Sequence, residues 1–328
     1  MHMRSILYTV SAVLFCAFAL GMFYYGYKTF YIESDAEEAD DYTYHFALIA
    51  EESDNDYWRL VEKGAKTAAR ENDIYLEYVA PEKADNDQAL MLLDRMISAK
   101  VDGIITQGIE GQHFVDLVHK GIERGIPIMT IDTDIASSER KAYVGSDNFR
   151  AGKQLGESII NDTSGKQYVG IVTGRKDSVN QQERVEGLKE AVADHPRITV
   201  VSTEVSNITK TGAAQATYSL LKEHPEITAL VGTSALDGAG IVEGLKDIAP
   251  NKDVYVATFD ILPETLELIN DDKIAATIAQ YPEEMGYNAI GVMMDLQEKD
   301  ILENEKHTET MIIRKEDLQN GTEKDIIE

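Results

Sequence analysis

Two aspartates and one arginine stand where they could grip hydroxyl groups. Asp132 and Asp260 each close a short apolar run, residues 127–131 and 254–259, of the kind that makes a buried strand. Arg184 lies in the helical segment Glu183-Arg184-Val185-Glu186-Gly187. An ionised carboxylate only accepts hydrogen bonds and can take two neighbouring hydroxyls, whereas a guanidinium donates a rigid fork. Tyr57 and Trp58, adjacent just after Asn55, offer flat faces that cover the apolar side of a polyol ring. Each residue also has a purely structural role open to it. The aspartates could cap helices or turns, the arginine could pair with solvated acids, and the tryptophan could simply pack.

Other chemistries are poorly served. No serine or cysteine carries the local signature of a nucleophile, so catalysis is not expected. His113 and His119 are six residues apart, which does not place them on one helical face, and the seven histidines form no metal-ligand pattern. The only cysteine, Cys16, excludes a disulfide within the chain and a cysteine-based metal site. The strand ends Gly232-Thr233-Ser234 and Thr173-Gly174-Arg175 lack phosphate-loop spacing. Neither a cofactor nor a metal is therefore expected.

The candidates must be held by the elements around them. From residue 44 onward apolar runs of strand length alternate with helical spacing: strands at 44–50, 74–79, 103–106 and 127–131, helices at 57–72, 87–99 and 112–124. After a short strand at 143–144 the alternation starts again, with strands at 167–173, 199–203, 229–232, 254–259 and 275–279. A last helix over 282–297 and a strand near 310–313 close the chain. Such alternation implies right-handed βαβ units, here an α/β fold of two similar doubly wound parallel-sheet lobes. Ligands of open α/β sheets bind beyond the carboxyl ends of strands. Asp132 and Asp260, and Asn55 after the first strand, should thus face one cleft between the lobes.

The chain has 328 residues, 43% of them hydrophobic, and a formal net charge of −27. Nucleic acid is not an expected partner, because its affinity depends on Lys and Arg neutralising phosphates. Residues 5–27 contain no charge, and the span 6–27 is long enough for one transmembrane helix, with Tyr24, Tyr25 and Tyr27 at the interface beside Lys28. A retained anchor over 1–32 followed by an acidic tether over 33–43 is favoured. A cleaved signal at Ala17-Phe18-Ala19 and lipidation at Cys16 stay open. All three place residues from 40 onward outside the cytoplasm.

Six motifs in order resemble the ribose- and galactose-binding family of substrate-binding proteins, across about 44–318. They are Asn55-Asp56-Tyr57-Trp58, Val101-Asp102-Gly103-Ile104-Ile105, Gly125-Ile126-Pro127-Ile128 with Ile131-Asp132, Gly145-Ser146-Asp147-Asn148, Glu183-Arg184-Val185-Glu186-Gly187, and Phe259-Asp260 with residues 275–282. The resemblance implies periplasmic-binding-protein type 1 lobes, 44–147 plus 281–309 and 148–280 plus 310–328, joined by a three-segment hinge near Asp147, Gln280 and Thr310. It implies monosaccharide capture by closing lobes, through Glu51, Asn55, Tyr57, Trp58, Gln107, Asp132, Arg184, Asn207, Ser234, Asp260 and Gln280. It also implies a membrane partner, an ABC sugar permease or a sensor histidine kinase; the anchor tilts the choice slightly toward sensing. The chain departs from the pattern at Glu51, where a small polar residue is usual, and at Thr133, where arginine is frequent. It departs again at Ser234, in a position that often holds asparagine, and at Asn207, in place of an aromatic. Autoinducer-2 or a nucleoside is the alternative ligand. A transcription regulator sharing the effector fold is disfavoured by the apolar span and the charge.

Overall fold

The computed structural model describes residues 15, 16, 18–22, 24, 42–298 and 304–319. Residues 1–42 and 43–328 form separate units. In the first, the described residues from 15 to 24 are helical and mostly exposed. No helix among the described residues is long and apolar enough to cross a membrane. Most of the expected span 6–27, and the tether apart from its last two residues, lie outside the described residues.

The second unit holds two six-stranded sheets. The first is built from β1 (Tyr44–Ile49), β2 (Ile74–Val79), β3 (Gly103–Gln107), β4 (Ile128–Ile131), β5 (Tyr143–Ser146) and β11 (Glu305–Thr308), in the order β11-β5-β4-β3-β1-β2. All its pairings are parallel. The second is built from β6 (Gln167–Thr173), β7 (Ile198–Val205), β8 (Ala229–Gly232), β9 (Tyr255–Phe259), β10 (Ala276–Ala279) and β12 (Met311–Ile313), in the order β12-β10-β9-β8-β6-β7. Here only the edge strand β12 runs antiparallel, against β10. The sequence pattern gave one strand near 310–313; the structure has two, with β11 polar and mostly exposed along the edge of the first sheet.

Helices cover both faces of each sheet, so both faces are apolar. Along β1, Phe46 and Leu48 join one core with Trp58, Met285 and Met293, while Ala47 and Ile49 join another with Leu93, Ile104 and Phe114. In the second lobe Ile171 and Phe259 pack with Leu155 and Leu188, and Val172 and Leu230 pack with Leu220 on the opposite face.

Two helix pairs bring the functional ends into place. Helix α1 (Asp56–Glu71) lies against α9 (Pro282–Glu298), so close that a Cβ on Gly64 would stand 1.8 Å from the Glu283 carbonyl oxygen. In the second lobe α4 (Asn148–Asp162) meets α5 (Val179–Val192), where a Cβ on Gly187 would stand 2.0 Å from the Phe149 carbonyl oxygen. On the other face of the first sheet lie α2 (Asn86–Ala99) and α3 (Gln112–Glu123). The second lobe adds α6 (Lys210–Glu223), α7 (Asp237–Ile248), α8 (Pro263–Asn270) and α10 (Lys315–Gln319). The chain passes between the sheets three times: from β5 into α4, from β10 into α9, and from β11 into β12.

Candidate functional site

Both sheets present the carboxyl ends of their strands to one inter-lobe cleft. Each central aspartate is turned there by backbone geometry: Asp132 after β4 has φ 64° and Asp260 after β9 has φ 68°. This left-handed conformation is tolerated best by glycine, then by Asn and Asp. It ends each strand abruptly and turns the carboxylate away from the ladder. Neither aspartate serves as a helix cap; α8, the helix after Asp260, starts from Leu262.

Asp132 accepts three hydrogen bonds. Tyr57 donates its hydroxyl at 2.7 Å, Thr133 its hydroxyl at 3.0 Å, and Asn180, from the other lobe, its amide at 3.0 Å. Asp260 accepts from Gln280 Nε2 at 2.8 Å. The carbonyl oxygen of Gln280 takes Arg184 Nη2 at 3.0 Å and Ser146 Oγ at 2.9 Å, which ties two of the crossing segments together. Arg184 is only 2% exposed, so it is no solvated ion-pair partner. Its other nitrogens donate to Asn148 Oδ1 at 2.9 Å and to the Thr233 carbonyl at 2.8 Å, and its guanidinium lies 4.2 Å from the centre of the Phe259 ring. A buried cation is satisfied here mainly by neutral acceptors.

The first strand leads into the site through α1. Asn55 caps that helix by accepting from Tyr57 N–H at 2.9 Å, and this sets Tyr57 and Trp58 on the first turn, facing inward. Their rings meet edge-on at 5.9 Å with an 84° interplanar angle. Burial pushes the Glu51 carboxyl up to about 7; the nearby Asp132 adds to the shift, and Arg175 opposes it. Burial likewise pushes Asp260 up to about 6, against the pull of Arg184 and Gln280.

The cavity these groups enclose is small, about 40 Å³, and nine of the eleven residues expected from the sequence line it: Glu51, Asn55, Tyr57, Trp58, Asp132, Arg184, Ser234, Asp260 and Gln280. Gln107, at the end of β3, is not in the lining; its side chain stands beside Glu51 and favours the ionised carboxylate. Asn207 is not part of the lining. It is exposed in a two-residue left-handed stretch (φ 53° and 52°) that presents Ile208 to the cavity instead. Asn180, Gln181 and Ala235 also line the cavity without having been picked out from the sequence. Asn180 had a usable signal, since it stands four residues before Arg184 and so on the same helical face. A larger cavity of about 1120 Å³ runs beside the crossing segments, with Leu60, Ile261, Leu266 and Tyr281 in its walls and Glu267 and Glu284 at its edge. It lacks the converging hydrogen-bonding groups of the smaller one, which is therefore the candidate site.

Residues 46–300 match the profile described as periplasmic binding protein domain. Among curated proteins, the D-ribose/D-allose-binding protein of Pseudomonas aeruginosa is 23% identical over 79% of this chain and 84% of its own length. Among solved structures, GanP, a glucose-galactose binding protein from Geobacillus stearothermophilus, superposes with a TM-score of 0.81 at 45% identity, covering 84% of this chain and 98% of that one. A chain of the XylFII-LytSN complex superposes with a TM-score of 0.78 at 35% identity, covering 83% of this chain and 98% of that one.

Proposed function

The chain belongs to the periplasmic binding protein family, and on that premise we propose that it captures a monosaccharide between its lobes and presents the closed form to a membrane partner. One observation carries the proposal. Carboxylates from both lobes, Asp132 and Asp260, meet in a single buried cavity beside Arg184 and Gln280, with Tyr57 and Trp58 against them. Acceptor-rich edges suit adjacent hydroxyls, and the aromatic rings suit the apolar side of a pyranose. The relative named as a glucose-galactose binding protein makes hexoses the first candidates. No catalytic step is assigned: the relatives are named as binding proteins, and this chain is one too, not an enzyme.

Closure buries the sugar and joins the two lobes into one surface, which a partner can distinguish from the open form. The partner is a sensor histidine kinase or an ABC permease. The uncharged run 5–27 supports a retained anchor through residues 6–27, and a tethered binding protein suits a fixed sensor. A relative held in a complex with a second protein, XylFII with LytSN, supports the same preference. Calorimetry of the full chain in detergent against D-galactose, D-glucose, D-ribose and D-xylose tests the ligand. Micromolar binding of at least one, about −8 kcal/mol, is expected; no heat and no shift in melting with any of them rejects the proposal.

A further inference from the structure

The crossing segments leave one side of each sheet, through β5, β10, β11 and β12, and the strands farthest from them are β1 and β2 in the first lobe and β6 and β7 in the second. The loops after those distant strands therefore face each other across the mouth of the cleft. Three polar contacts join the lobes there and in the neighbouring loop after β3. Arg175, in the loop after β6, approaches the Glu51 carboxylate at 3.5 Å. The same arginine grips Asp177 with Nε at 3.0 Å and Nη2 at 2.7 Å, and Asp177 in turn accepts from Asn86 of the first lobe at 3.2 Å. On α5, Gln182 donates to Glu110 of the first lobe at 3.3 Å. The side chains of Arg175 and Glu51 keep only 16% and 12% of their surface exposed.

From this we infer that Arg175 is the hub of a latch across the cleft mouth that sets how long a captured sugar stays; the inference rests on the sugar-capture reading. Arg175 is absent from the cavity lining, so it acts through the lobes and is a positioning residue. Its fork is already oriented by Asp177, which leaves one edge aimed at the opposite lobe. Glu51 is the partner that makes the latch conditional. It lines the cavity at one end of its carboxylate environment and faces Arg175 at the other. Opening the mouth must separate these groups, whereas the diffusional encounter with a sugar takes place before they meet. The latch should then act on the rate of release far more than on the rate of capture.

Trp58, the chain's only tryptophan, lines the cavity and supplies a fluorescence signal for stopped-flow measurement on the full chain in detergent, with D-galactose and D-glucose as probes. Arg175→Gln is expected to speed release about ten- to hundredfold while capture changes less than about threefold. At pH 8, where the Glu51 carboxyl is ionised, the same substitution in a Glu51→Gln background should have a clearly smaller effect, because the charge it faces is gone. Asn86→Ala, which cuts a different strand of the latch, should speed release several-fold. Hydrogen exchange gives a readout that needs no sugar: in Arg175→Gln the amides at the start of α2, across the cleft, should exchange faster while those of the β1–β3 core do not. Release at the parental rate, or an equal effect in both Glu51 backgrounds, overturns the latch. If neither sugar binds the parental protein, the sugar reading fails, and unchanged exchange at α2 then overturns the latch separately.

Discussion

Asp132 and Asp260 occupy the same place in the two lobes, each after the strand that stands third from the crossing edge of its sheet and each with a left-handed backbone, yet their surroundings differ. Asp132 takes three donors, Tyr57, Thr133 and Asn180, one of them from the opposite lobe. Asp260 takes one donor, Gln280, and burial holds its carboxyl up near 6. On the sugar-capture proposal the duplicated architecture would divide the work unequally: both aspartates would offer acceptors to hydroxyls, with Asp132 also joining the lobes and Asp260 keeping the larger free capacity. A buried carboxylate short of donors is costly unless a ligand supplies them.

The largest effects should separate the pair. Asp260→Asn, which tolerates the left-handed backbone and keeps an acceptor for Gln280, is expected to lower sugar affinity about tenfold or more, with the sugar-free melting temperature unchanged or higher. Asp132→Ala would leave the Tyr57 hydroxyl and the Asn180 amide without their acceptor, and should cost about 2–4 kcal/mol of stability besides weakening binding. Calorimetry paired with thermal unfolding of each variant measures both quantities. Equal stability losses at the two sites would dissolve the distinction. Arg184→Lys belongs with them: an ammonium cannot span Asn148, Thr233 and Gln280 together, and a loss of about 2–3 kcal/mol is expected in the same unfolding experiment.

A second contrast is one of pH. Glu51 in the first lobe faces Asp132, Glu52, Arg175 and Gln107, and burial raises it to about 7; Asp260 in the second rises to about 6. If opening the cleft exposes both carboxyls to water, they return toward their ordinary values of 4.5 and 3.8. The closed form therefore holds more protons than the open one, from about pH 4.5 to 7 for Glu51 and from about 3.8 to 6 for Asp260. Closure is favoured as pH falls through these windows and disfavoured as it rises through them. Sugar affinity should strengthen severalfold between pH 8 and pH 6, with proton uptake visible as a dependence of binding heat on buffer ionisation. Glu51→Gln should flatten that upper step. A flat profile in the parental protein would show that the carboxyl of Glu51 does not change its surroundings on closure.

Much of this was legible in the sequence, and what was not has physical reasons. The buried parallel strands announce themselves as apolar runs, and an aspartate that ends such a run stands out. Strand β11, Glu305-Lys306-His307-Thr308, has no apolar face; its pairing with β5 comes from the returning chain, which no local pattern encodes. Asn180 and Gln181 sit in a helix of mixed polar residues, where an inward-facing amide looks like any solvated one. The exchange of Asn207 for Ile208 turns on two consecutive positive φ values, a rotation that neither residue type predicts. Arg175 was legible only as part of a glycine-containing strand end; that it reaches Glu51 depends on how the two lobes are brought together.

The smallest expected effect compares the strands beside the two aspartates. Gln107 at the end of β3 stands beside Glu51, whereas Ser234, just after β8, lines the cavity with its hydroxyl buried and without a hydrogen-bond partner of good geometry among the described residues. Its backbone is what is held: the Asp237 carboxylate accepts from the N–H groups of Thr233 and Ser234 at 3.0 and 2.8 Å. The second oxygen of Asp237 also lacks a partner of good geometry among the described residues, with the Ser206 and Ser234 hydroxyls both beside it, so the Ser234 hydroxyl can turn toward it or toward a ligand. Ser234→Ala keeps the backbone bonds and removes only that choice. A two- to tenfold loss of sugar affinity, about 0.5–1.5 kcal/mol, is expected, with no loss of sugar-free stability. Gln107→Ala should instead act through Glu51, altering the pH dependence of binding more than the affinity at pH 6. If Ser234→Ala lowers the melting temperature and spares the affinity, the hydroxyl belongs to Asp237, and recognition in the second lobe contracts to Asp260, Arg184 and Gln280.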